Sequence, residues 1–150
     1  MFKISWKAII IILLAMLPNL LFAVLPPKNA PGNLKDGGAL INILEHGGRI
    51  LYFIVLIFTT KDKEGSYSSP LFIGMCICLA VYFGLWIRYF AGGREFSLMS
   101  ASLAFIPAPM AVFPILYLLF AALWFRSIPS VVLIGIFAIG HITNTTIAFK

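Results

Sequence analysis

The sequence predicts an all-α, polytopic integral membrane protein, a bundle of five transmembrane helices with a proline-broken segment before the fourth. Composition and pattern carry this. Of the 150 residues, 61% are hydrophobic and only 11% charged, against roughly a quarter charged in soluble domains, and the mean hydropathy is +1.03. A water-soluble fold of this length could not hide so much apolar surface. The apolar residues also fall into long runs, separated by short stretches rich in proline, glycine and charge. The chain is read as one transmembrane helical domain over 1–150, with spans at about 8–25, 41–60, 71–88, 110–125 and 130–148.

The first span, Ala8 to Leu25, follows Lys3 and Lys7 and resembles a secretory signal. Its apolar run is too long for one and no small-x-small cleavage pattern closes it, so it is expected to be retained. The Pro- and Gly-rich stretch Pro26 to Gly38 bars regular structure. In the second span the clean apolar run Ile50 to Thr60 has eleven residues, which cover about 16 Å of a hydrocarbon core about 30 Å thick. Lys61-Asp62-Lys63-Glu64 blocks extension forwards. The helix must therefore reach back to Ile41, and that places Glu45, His46 and Arg49 inside the membrane. The third span begins after Pro70, a favourable first-turn residue, and ends in the interfacial trio Trp86, Arg88 and Tyr89. Arg94 to Phe125 is too long for one span. A short helix carrying Ser97, Ser100 and Ser102, a break at Pro107 to Pro109 and a span from Met110 fit it best. The fifth span ends in "GHITNTTIAFK".

Five spans put the chain ends on opposite sides of the membrane. Loop Lys and Arg divide evenly between the two sides, so the expectation of a cytoplasmic N-terminus in the cell membrane rests on Lys3 and Lys7 flanking the first span. The net charge of +6 is spread thinly, which suits anionic headgroups near the loops and argues against nucleic acid as a partner. Cys76 and Cys78 are two positions apart and point about 200° from each other on a helix, so they are read as small packing residues.

In the second span Asn42, Glu45, His46, Arg49 and Tyr52 recur at helical spacing and form a polar stripe. Arg49 falls near the bilayer middle, where an unpaired charge costs at least about 2.5 kcal/mol. Glu45, one turn earlier, is its expected partner, and that pair could be purely structural. In the fifth span His141, Asn144 and Thr145 share a face beside Gly140. Counted along their helices, His46 and His141 stand at equal depth, about 20 Å from the N-terminal side, and Asn19 of the first span falls in the same half. The reading is a polar cavity in one leaflet, closed below by an apolar plug. Its ligand-binding set is Asn19, Asn42, Glu45, His46, Arg49, Tyr52, His141 and Asn144, and it binds or transports a small anionic molecule or lipid headgroup.

Three other readings use the same residues. In a membrane-embedded enzyme acting on a lipid or lipid-linked substrate, Glu45 or a histidine would be the base, yet no recognised catalytic spacing is present and no catalytic residue is assigned. A haem or zinc bound through His46 and His141 is a minor alternative to the expectation of no cofactor and no metal. A non-catalytic assembly subunit would pack the stripe against another membrane protein. A homo-oligomer or a larger membrane partner is expected in addition to the lipid bilayer, because five spans are few for a transporter.

Overall fold

The computed structural model describes residues 4–149. It is all-helical, with six helices and no strand among these residues: α1 (Trp6–Val24), α2 (Gly38–Thr59), α3 (Pro70–Ala91), α4 (Phe96–Ser100), α5 (Pro109–Trp124) and α6 (Ile128–Ala148). Four of them, α1, α2, α3 and α6, are long and apolar enough to cross a membrane, and α5 is a shorter apolar helix. Together they form the expected helical membrane bundle, with α4 and the proline-broken stretch lying before α5.

The helix boundaries follow from local chemistry. Ser5 caps α1, its hydroxyl accepting the Ala8 N–H, and Pro18 is absorbed inside the helix, which runs on to Val24. The second helix starts three residues before Ile41 because Asp36 accepts both the Gly38 N–H at 2.9 Å and the Asn42 amide at 3.0 Å, satisfying donors that the helix end leaves open. Gly38 takes φ +82°, a conformation that favours glycine. Ser69 caps α3 ahead of Pro70, and α3 continues past Arg88 to Ala91 before Gly92 ends it. Of the three serines expected on the short helix, Ser97 and Ser100 lie on α4, and Ser102 falls after its end.

The helix α5 is buried on nearly every side, as a helix apolar all round should be, with α1, α3 and α6 packed around it and Tyr52 of α2 reaching it. Buried tyrosines join the helices by donating to backbone carbonyls on their neighbours: Tyr117 to Ile11 (3.0 Å), Tyr52 to Leu118 (2.6 Å) and Tyr82 to Ala15 (3.4 Å). The closest approach is between α2 and α6. A β-carbon at Gly140 would lie 2.7 Å from Glu45 Cα, and one at Gly48 would lie 3.1 Å from Phe137 Cα, so glycine is what lets the two backbones meet. At the N-terminal side Lys7 pairs with Glu64, and the Gly65 N–H donates to the Trp124 carbonyl. At the other side the α1–α2 loop is tied to α4, through Lys28 to the Arg94 carbonyl, Asn29 to Glu95, and the Phe96 N–H to Asn29.

Candidate functional site

The polar groups of α2 and α6 divide into two sets. In the first, Glu45 reaches across to α6. Its Oε1 lies 2.8 Å from His141 Nδ1, and its Oε2 accepts from the Asn144 amide. A carboxylate only accepts, so His141 Nδ1 carries a proton and donates it. Asn144 also donates to Asn42 Oδ1 at 2.7 Å, and its own carbonyl accepts the Gly37 N–H at 2.7 Å. This network welds the start of α2 to the end of α6, and it occupies both oxygens of Glu45.

In the second set stands Arg49, with its Nη2 donating to His46 Nδ1 at 3.2 Å. The expected Glu45–Arg49 ion pair is not formed, because the close approach at Gly140 brings His141 and Asn144 within reach of the carboxylate. Among the described residues the ion pairs are Lys7–Glu64 and Glu45–His141, so the Arg49 guanidinium has no carboxylate partner. His46 is also corrected. It lies on the exposed face of α2 and is bonded to Arg49, whereas His141 is turned inward against Phe137. The two histidines do not face each other, and no group of three metal-ligating side chains occurs among the described residues.

A cavity of about 310 Å³ opens beside this seam, bounded by all six helices and by the α1–α2 loop. Of the eight residues expected to bind ligand, Asn19, Arg49 and His141 line it. Glu45 and Asn144 stand behind His141, Asn42 belongs to the network at the start of α2, His46 is outside, and Tyr52 is buried with its hydroxyl on the Leu118 carbonyl. Arg49 is the one Lys, Arg, Asp or Glu in the lining. Asn19 is engaged, donating to the Tyr82 hydroxyl at 3.2 Å and to the Ala15 carbonyl. The Trp86 indole is buried in the wall of the cavity, edge-on to the Tyr82 ring.

The walls are otherwise chiefly apolar, unlike the polar pocket that the stripe suggested. Ala15, Phe53, Leu118 and Phe137 lie at the deep end, and Phe22, Phe96, Met99 and Phe149 lie toward the surface opposite the N-terminus. Sequence reasoning missed these aromatic and Met residues, since each reads as ordinary membrane-span packing. Chemically the site is an apolar chamber with a cationic donor in its wall, the Arg49 guanidinium, of which one nitrogen is engaged by His46. The chain matches no protein-family model, and no curated protein or solved structure is similar to it at a significant level.

Proposed function

We propose that this membrane protein binds or transports an anionic molecule with an apolar body in the cavity beside Arg49, and that it does so in the cell membrane with its N-terminus on the cytoplasmic side. The observation that carries the reading is a guanidinium in a chiefly apolar lining that, among the described residues, has no carboxylate paired with it. A charge at that depth costs at least about 2.5 kcal/mol, and a bound anion relieves it while gaining a charge-assisted, bidentate pair. An enzymatic role has less support, because Glu45, the acid expected to act as base, is held on both oxygens by His141 and Asn144.

Lys3 and Lys7 at the start of the first span support that orientation, which would turn the cavity toward the outer leaflet. A second reading, assembly with another membrane helix, draws on His46. Its imidazole sits on the exposed face of α2 between the exposed residues Ile43 and Ile50, where lipid offers its Nε2–H no acceptor. The test of the first reading is native mass spectrometry of the full chain purified in mild detergent, with lipid and metabolite extraction in parallel. An anionic species is expected on the wild type and lost from Arg49→Gln. Equal retention of that species by Arg49→Gln would remove the case for the cavity as an anion site.

A further inference from the structure

Which anion the cavity takes is narrowed by depth and by room, an argument that rests on the anion-binding reading above. Arg49 is eleven residues from Gly38 and ten from Thr59 along α2, so it stands about 15 Å from either end of the helix, at the bilayer middle. The apolar lining extends from that depth outward. Phe22 is two residues from the end of α1, Phe96 opens α4, and Leu34 belongs to the α1–α2 loop. The charge is therefore deep and the greasy walls rise above it toward the surface. A bilayer lipid has the reverse polarity, with its headgroup at the interface and its chains at the centre, so it could reach Arg49 only by carrying its headgroup to the midplane.

Room points the same way: at about 310 Å³ the cavity lies at the small end of ligand sites, roughly 300–1,000 Å³, which suits one compact amphiphile better than a two-chain lipid. Charge narrows the head. One guanidinium neutralises one negative charge, whereas a phosphate monoester carries close to two at neutral pH, and the second would be left unpaired at the bilayer centre.

We propose that the ligand is a single-chain monocarboxylate of medium length, bound acid-first with its carboxylate on Arg49 and its chain directed back toward the surface formed by the α1–α2 loop and α4. Such a molecule is soluble enough to arrive from the aqueous side at that surface, and it need not flip within the bilayer.

The test uses the full chain in nanodiscs of phosphatidylcholine, with radiolabelled decanoate as the probe and empty nanodiscs subtracted. Saturable binding of one decanoate per protein is expected. It should weaken at least tenfold in Arg49→Gln and distinctly less in Arg49→Lys, which keeps the charge but not the bidentate fork and controls for folding. Replacing about a third of the phosphatidylcholine by phosphatidylglycerol should leave decanoate binding unchanged, and decyl phosphate should compete poorly. If phosphatidylglycerol displaces decanoate, or is retained through Arg49 when decanoate is not, an anionic bilayer lipid is the occupant. The inference then falls while the anion-binding reading stands. If neither binds in an Arg49-dependent way, both fall.

Discussion

Substituting Gly140 by alanine tests the seam on which the site is built. The added β-carbon would meet the backbone nitrogen of Glu45 and lie 2.7 Å from its Cα and 2.9 Å from its Cβ. Ordinary contact begins at 3.4 Å, so the shortfall at Cα is 3.4 less 2.7, or about 0.7 Å, and it falls on backbone that cannot rotate away. The helices must part, and overpacking of this kind costs about 1–3 kcal/mol. Contact with backbone places Gly140→Ala at the upper end of that range. Gly48→Ala, whose β-carbon would lie 3.0 Å from the Phe137 nitrogen, belongs near the lower end. At Gly135 nothing lies within 4 Å, so Gly135→Ala should be neutral or stabilising by up to about 1 kcal/mol.

The assay is thermal unfolding of the purified chain, followed by a thiol-reactive dye in a Cys76→Ser background. Cys78 is then the reporter, and it is buried in the fold. About 2–4 °C per kcal/mol is expected at this size, so Gly140→Ala should melt roughly 6–12 °C below the parent. A Gly140→Ala protein as stable as the parent, or less perturbed than Gly48→Ala, would refute the close packing of α2 on α6.

Two further outcomes follow from the same structure. Removing the Tyr117 hydroxyl as phenylalanine deletes a buried 3.0 Å bond to the Ile11 carbonyl; it should lower stability by about 0.5–1.5 kcal/mol in the dye assay, and no change would mean that the bond does not hold α1 to α5. The Asp36 carboxyl, outside the membrane, is held below its ordinary value of 3.8 by the Asn42 amide and then by the Gly38 N–H. Its folded value is the lower one, so its support for the start of α2 is complete above pH 3.8 and is lost as pH falls through the folded value. Amide-exchange protection over Gly38 to Leu40 should therefore drop in acid in the wild type, and Asp36→Asn should lack that drop; identical profiles would sink the capping role.

The bundle was legible because hydrophobic length is a local property. Eleven apolar residues cannot span, so α2 had to extend back through Glu45 and Arg49, as it does. What the stripe could not reveal is which way it faces. At about 100° per residue, the inward line of α2 is marked by its buried residues Gly48, Tyr52 and Leu56. Measured from Gly48, Glu45 is about 60° away and faces α6, whereas His46 is about 160° away and faces outward. The glycine was the available signal, and centring the face on the polar residues obscured it. The cavity was less legible still. Its walls come from Phe22, Trp86, Met99, Met110 and other residues on separate helices, and no local pattern distinguishes a side chain that lines a chamber from one that fills a core.

The two candidate roles of Arg49 exclude each other, and the packing of α6 decides between them. An acid four residues before an arginine would ordinarily pair with it along the helix, which would neutralise both and leave the cavity with no net charge. Here α6 intervenes. Because Gly140 sits against the Glu45 backbone, His141 and Asn144 claim both carboxylate oxygens, and among the described residues the polar partner of Arg49 is the His46 ring nitrogen. A structural ion pair would need no glycine at 140 and no second histidine. The arrangement spends those residues on holding the acid away from the base, and its physical consequence is a positive charge left uncompensated beside an apolar chamber. That is the state of Arg49 that an anionic ligand requires, and it is produced by residues that do not touch the ligand at all.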